Sequence, residues 1–165
     1  MKCAAAMTTA TIPLRADDSV ADALSRLIGE RAAALPVVDA AGIYQGQFAI
    51  GDALELILPR LALAGAMEPN VRFLGDDVSA LSVRLGAAGK RLLRDVADRT
   101  QPTVSPDAPL SEALRHFCRA KTLLAVVSPD SGAYLGVVTM FDALAALAAD
   151  QKQSGEVHGR SGARL

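Results

Sequence analysis

The spacing of apolar residues near the N-terminus predicts an amphipathic helix, two short strands and a second helix. The first stripe has the i, i+3, i+4, i+7, i+8 spacing of a helix that buries one face, and it consists of Val20, Ala23, Leu24, Leu27 and Ile28. Ser19 precedes this stripe and is a favourable N-cap. Residues 35–38 and 45–50 have the length of strands and are separated by turn residues, and a closing helix is predicted from Asp52.

The same order of elements returns about 90 residues further along the chain. The second stripe, placed directly after Pro109, consists of Leu110, Ala113, Leu114, Phe117 and Cys118. Gly46 corresponds to Gly136 and Asp52 corresponds to Asp142, both at a spacing of 90 residues. The apolar run at residues 35–38 corresponds to residues 124–127 at a spacing of 89 residues. An ordered series of matches of this length indicates an internal repeat.

The repeat predicts the fold class. Each copy is expected to form a β-α-β-β-α unit, and a unit of about 50 residues buries too little surface to be stable alone. We therefore expect an α/β (α+β) fold in which the two copies pack through their sheets with pseudo-twofold symmetry. The predicted organisation is a first repeat at 7–58, a connector at 59–94 with a short helix near 78–85, a second repeat at 95–149 and a disordered tail at 150–165.

Composition and charge exclude several classes of function. The chain is 51% hydrophobic, with a mean hydropathy of +0.27, which is typical of a well-buried globular protein. Its net charge is −1 and it has no basic stripe, so we expect no nucleic-acid partner. No apolar run approaches the roughly 18 residues of a membrane span. The N-terminus lacks the hydrophobic stretch of a secretory signal, so a cytoplasmic location is expected.

The chemistry-bearing residues indicate neither a metal site nor an enzyme. Cys3 and Cys118 are far apart and suggest no disulfide framework or metal cluster, and His116 and His158 are too few for a histidine-rich site. The serines have no nucleophile-elbow setting. We expect no catalytic residues, no required cofactor and no enzymatic activity.

Several segments of the repeat together resemble a known family. Residues 136–142, Gly-Val-Val-Thr-Met-Phe-Asp, follow a Gly-apolar-apolar-Thr/Ser-x-x-Asp pattern at every defined position. Residues 35–39, Leu-Pro-Val-Val-Asp, supply the strand and turn before that motif, residues 93–97 are similar to the entry into a repeat, and residues 103–107 to its first strand. In this order, and doubled, they resemble the cystathionine β-synthase (CBS) domain, which usually occurs in pairs.

The resemblance implies a ligand site at the second repeat. In the family, the motif holds the ribose of AMP, ADP, ATP or S-adenosylmethionine. Here Asp142 would accept hydrogen bonds from the two ribose hydroxyls, which charge assistance strengthens, and Thr139 would add a hydroxyl. The adenine would lie in an apolar slot, which the resemblance assigns to Ala97, Pro102, Thr122 and Leu123.

The first repeat departs from the motif. Gly46 and Asp52 are kept, but Ala49 stands where threonine is expected, and Gln47 replaces an apolar strand residue. We expect a weaker or vacant second site here, whose residues would be Asp52, Ile12 and Ala34. Asp52 then serves chiefly as a helix cap.

Two functional hypotheses remain open from the sequence. Ser/Thr-x-x-Asp/Glu is also the capping box that fixes the start of a helix without any ligand. The first hypothesis is a homodimeric regulatory module that senses an adenosine-type ligand and controls a partner protein. The alternative is a dimerisation or interaction scaffold in which the motif serves only as a cap.

Overall fold

The computed structural model describes residues 1–58, 78–118 and 123–160, with side chains described up to residue 152. These residues form two compact units. The first-repeat unit is Pro13–Thr100, and the second-repeat unit combines Met1–Ile12 with Gln101–Leu165. A mixed α/β fold with a three-stranded sheet in each unit confirms the predicted fold class.

The first-repeat unit contains a sheet of order β1-β2-β3, in which β1 is parallel and β3 antiparallel to the central strand. Its elements are β1 (Leu14–Arg15), α1 (Val20–Glu30), β2 (Ala34–Val38), β3 (Tyr44–Ala49), α2 (Ile50–Ile57), α3 (Val78–Gly89) and α4 (Leu93–Val96). α3 lies in the part of the connector where the sequence predicts a short helix.

The second-repeat unit repeats this sheet with the order β4-β5-β6. Its elements are a 3-10 turn (Cys3–Ala5), β4 (Thr103–Val104), α5 (Leu110–Phe117), β5 (Leu123–Val127), β6 (Tyr134–Thr139) and α6 (Met140–Arg160). Both antiparallel hairpins carry an irregularity at the same place, between Val37 and Val38 and between Val126 and Val127.

Local chemistry explains where these elements begin and turn. Ser19 caps α1, since its Oγ accepts a hydrogen bond of 3.1 Å from the backbone N–H of Asp22. The β2–β3 turn is built on Asp39, whose Oδ1 accepts from the backbone N–H groups of Ala41 (2.9 Å) and Ile43 (3.0 Å). Gly42 in this turn has a φ of 79°, a left-handed conformation that favours glycine.

Each unit has its own hydrophobic core. The fully buried strand residues include Val37 and Phe48 in one unit and Val126 and Val138 in the other. α1 packs Val20, Ala23 and Leu27 against its core, as the stripe predicts, whereas Ile28 at the end of the stripe is exposed.

The N-terminal segment of each repeat is held by the core of the other repeat's unit. Cys3 is fully buried in the second-repeat core, and its N–H donates to the carbonyl of Ala108 (2.8 Å). Ninety residues later, Leu93 is fully buried in the first-repeat core, and its N–H donates to the carbonyl of Asp18 (3.0 Å). The structural division therefore differs from the predicted boundaries at residues 7–12 and 95–100, because these segments pair with the opposite repeat.

Two glycines make room for these N-terminal segments of the repeats, which we call the entry segments. Thr8 and Val137 exchange both backbone hydrogen bonds (2.8 and 3.0 Å), and Asp98 and Gln47 do the same (2.8 and 3.0 Å). A Cβ at Gly136 would lie 2.6 Å from the carbonyl oxygen of Thr8, and one at Gly46 would lie 2.5 Å from that of Asp98. The motif glycine is thus required by backbone packing.

The tail differs from the prediction. α6 continues to Arg160, so the expected disorder from residue 150 is wrong for 150–160, and 161–165 lie outside the described residues. The helix forms because an alanine-rich run through Ala149 leads into Gln151 and Lys152, which propagate a helix well. Within the described ranges, no helix is long and apolar enough to cross a membrane.

We predict that Gly136→Ala destabilises the protein by about 1–3 kcal/mol, because the added methyl group overlaps the Thr8 carbonyl and the Met7 side chain. The matched control is Gly86→Ala in α3, where a Cβ meets nothing within 4 Å. Since alanine is the better helix former by about 1 kcal/mol, the control is expected to be neutral or stabilising. Urea unfolding measures both changes, and equal effects would contradict the packing argument.

Candidate functional site

The junction between β6 and α6 holds the two main residues predicted for the site. The hydroxyl of Thr139 donates to Oδ2 of Asp142 at 2.6 Å, and the backbone N–H of Thr139 donates to the same oxygen at 3.2 Å. In return, the backbone N–H of Asp142 donates to Oγ1 of Thr139 at 3.1 Å. The two side chains therefore form a reciprocal capping box at the start of the helix.

The capping box uses one oxygen of the Asp142 carboxylate. Its Oδ2 accepts both bonds from Thr139, while no described residue donates to Oδ1. The carboxylate is half-buried. One charged oxygen and its lone pairs are therefore available for a further donor such as a hydroxyl group.

Two of the other residues predicted for the main site differ in where they lie along the strands of the second-repeat unit. Leu123 lies directly opposite Thr139 in the β5–β6 register, which brings it to the junction. Pro102 directly precedes β4, whose Thr103 pairs with Ala125. Thr122 lies outside the described residues.

Ala97 lies in the first-repeat unit and not in the unit of Asp142. It follows α4 as the C-cap and packs, half-buried, against the core that contains Ala53 and Leu93. The resemblance assigns it to the site at the second-repeat motif, and this assignment stays a prediction. In the unit of Asp142, the N-terminal residue bonded to β6 is Thr8, through Val137.

Thr8 is the residue that sequence reasoning missed. It lies beside the motif glycine, where its carbonyl approaches Gly136, and its Oγ1 accepts a 3.3 Å hydrogen bond from the backbone N–H of Ala10. The 90-residue repeat relates Thr8 to Asp98, and this spacing was the available signal. Spacing alone does not indicate which sheet each segment joins.

The first-repeat junction, between β3 and α2, is simpler. Oδ2 of Asp52 accepts a hydrogen bond of 2.7 Å from the backbone N–H of Ala49. Alanine has no hydroxyl group that could accept a bond from Asp52 in return. Ala34 is buried opposite Ala49 in the sheet register. Ile12 is 69% exposed and belongs to the second-repeat unit. The structure thus brings Ala34 to the Asp52 junction within one unit, while the assignment of Ile12 to this site stays a prediction.

A cavity of about 560 Å³ opens at the Asp52 junction. Its size is within the roughly 300–1,000 Å³ of small-molecule sites. The described residues that line it are mostly charged and are Asp52, Glu55, Leu56, Arg91, Asp95, Val96 and Asp98. A second cavity, of about 420 Å³, lies beside β4 and includes Ser105 and Ser128 but neither motif residue.

The environment of Asp52 makes its charge costly. Burial raises the pKa of its carboxyl group, the hydrogen bond from Ala49 opposes that rise, and the negative charges of Asp98 and Glu55 add to it. The lining carboxylates therefore act on one another across this cavity.

Comparison with known families matches both halves of the chain to one domain type. A family model for the CBS domain matches residues 3–59 and again residues 93–149. Both matches begin at the entry residues, Cys3 and Leu93, that are buried in each core. No curated protein sequence matches the chain.

Solved structures share the fold at low sequence identity. CBSX2 from Arabidopsis thaliana has a TM-score of 0.71 at 21% identity, with 92% of this chain and 96% of that chain covered. A crystal structure of CBSX2 in complex with AMP has a TM-score of 0.66 at 21% identity, with 91% and 98% covered. A CBS domain-containing protein from Bacillus anthracis has a TM-score of 0.69 at 15% identity, with 90% and 94% covered.

We predict a specific pH dependence for Asp52→Asn. A carboxyl group with a raised folded-state pKa favours folding below its unfolded pKa, about 3.9, and this contribution is lost as pH rises through the folded value. The amide keeps an acceptor for Ala49 and carries no charge. The variant should therefore gain stability relative to wild type between about pH 4 and pH 7, measured by urea unfolding. A difference that stays constant or shrinks over this range would contradict the proposed environment.

Proposed function

The chain belongs to the CBS-domain family as a tandem pair, and from this premise we propose that it is a regulatory module that binds an adenosine-type ligand mainly at its second repeat. The observation that carries the proposal is the Thr139–Asp142 junction, where the carboxylate keeps one oxygen unbonded by the described residues while the other fixes the helix start. A ribose hydroxyl is a suitable donor for that oxygen.

The setting of this junction supports a nucleotide. α6 begins at Met140 directly after the strand, so its first backbone N–H groups and its dipole favour an anionic phosphate. Leu123 offers an apolar side chain at the same end of the sheet. AMP is the ligand of CBSX2, a protein with this fold. ADP, ATP and S-adenosylmethionine share the adenosine group and are further ligands to test.

Regulation requires that the chain associates with another protein. The exposed side of α6 supports this part of the proposal, since Phe141 is 85% exposed and Met140, Leu144 and Leu147 beside it are also exposed. Apolar side chains grouped in this way favour a protein–protein contact. We propose that the module forms a homodimer and controls a partner protein in the cytoplasm, without enzymatic activity of its own.

A scaffold without a ligand is the second candidate. The reciprocal bonds of Thr139 and Asp142 fully account for the motif as a capping box. At the first repeat, Asp52 makes the equivalent bond to Ala49 with no hydroxyl present. Ligand binding is therefore the measurement that separates the two functions.

We predict that an adenosine-type ligand raises the melting temperature, because it binds the folded chain and not the unfolded one. At a hundredfold excess over the dissociation constant, the gain in unfolding free energy is about 2.7 kcal/mol. Thermal unfolding with AMP, ADP, ATP and S-adenosylmethionine at millimolar concentration measures it. If none of the four shifts the transition, the scaffold is the better description.

We predict that Asp142→Asn weakens binding of that ligand by about tenfold or more, since losing charged bonds to a ribose costs about 1–3 kcal/mol. Asparagine still accepts a bond at a helix start, so the unfolding free energy should change little. Asp52→Asn is the matched control and should retain most of the binding. Calorimetric titration distinguishes the variants, and equal binding by wild type and Asp142→Asn would place the site elsewhere.

A further inference from the structure

The two repeats present different side chains at the same structural position. In the second-repeat unit, Thr8 exchanges two backbone hydrogen bonds with the strand that leads to Asp142. In the first-repeat unit, Asp98 makes the equivalent pair of bonds with the strand that leads to Asp52. A neutral hydroxyl residue therefore accompanies one motif, and a carboxylate accompanies the other.

The carboxylate of Asp98 is held in place at the first repeat. Its Oδ1 accepts hydrogen bonds from the backbone N–H (2.8 Å) and the hydroxyl (2.7 Å) of Thr100. Asp98 lines the same cavity as Asp52, and its charge contributes to the raised pKa of that carboxyl group. The two negative charges are therefore close enough to influence each other, and to influence a ligand between them.

The charge balance of this cavity opposes a phosphate. The described residues that line it contribute four carboxylates and one guanidinium, that of Arg91. A nucleoside monophosphate brings up to two further negative charges, and like charges repel strongly in a partly desolvated site. An uncharged nucleoside does not meet this repulsion, while its ribose hydroxyls can still donate to Asp52.

We propose that Asp98 is a specificity-determining residue that closes the first-repeat cavity to phosphorylated ligands and leaves it open to an uncharged nucleoside. The inference rests on the proposed function, because it assumes that the strand–helix junctions bind an adenosine group. It assigns different ligand chemistry to the two repeats: nucleotide at Asp142 and nucleoside at Asp52.

The test compares adenosine with AMP by calorimetry in an Asp142→Asn background, in which the second-repeat site is weakened. At the remaining site, adenosine should bind more tightly than AMP. Adding Asp98→Asn, which keeps an acceptor for Thr100, should raise the AMP affinity by about tenfold at low salt and leave the adenosine affinity unchanged. Further addition of Asp52→Asn should weaken adenosine, which locates the site.

Glu30→Gln is the matched control, since it removes one negative charge from the same unit at a residue that does not line the cavity. It should leave both affinities unchanged. Equal AMP gains from Asp98→Asn and Glu30→Gln would overturn the inference in favour of a general charge effect. Weaker AMP binding in Asp98→Asn, or no adenosine binding in the Asp142→Asn background, would also overturn it.

The proposed function fails in a distinguishable way. If wild type binds neither AMP nor adenosine, both proposals fall together. If wild type binds AMP and Asp142→Asn weakens it, the proposed function stands, and only the response to Asp98→Asn decides the specificity of the first repeat.

Discussion

A pair of backbone hydrogen bonds at the residue that follows a glycine organises each unit. Thr8 with Val137, and Asp98 with Gln47, join an entry segment to the strand that precedes the motif helix. The contact is possible because the adjacent strand residue, Gly136 or Gly46, has no Cβ to meet the carbonyl of the entry segment. This approach determines which residue stands beside each motif glycine, Thr8 at Gly136 and Asp98 at Gly46.

In the proposed function, the motif aspartate Asp142 combines a structural and a chemical task. Asp142 satisfies the backbone N–H of Thr139 and accepts its hydroxyl through one oxygen, so the start of α6 is fixed in the absence of any ligand. A ligand that bonds to the other oxygen meets a carboxylate already oriented, which lowers the entropy lost on binding. The helix cap is compatible with the proposed ribose site, because a carboxylate has two oxygens and about four lone-pair sites.

Duplication has preserved the framework and changed the surroundings of the motif. The registers, the turns and the buried entry residues Cys3 and Leu93 correspond between the units. The side chains at the junctions do not: Thr139 corresponds to Ala49, and Thr8 corresponds to Asp98. Backbone geometry alone therefore does not make the two junctions equivalent, since the first has no hydroxyl at the cap and carries an added carboxylate.

Features that depend on local spacing could be predicted from the amino-acid sequence. The 90-residue repeat predicted the strands, the turns and the helices, and the Thr139–Asp142 pair follows from an i, i+3 relation across a helix start. The unit that each entry segment joins became clear from the three-dimensional packing. This packing placed Ala97 with the Asp52 repeat and Ile12 with the second-repeat unit, and it extended α6 into the predicted tail. Two similar repeats present nearly identical strand edges, so the local sequence pattern cannot distinguish between them. Which sheet an entry segment joins depends instead on the packing of residues such as Cys3 and Leu93 into cores that are distant in sequence.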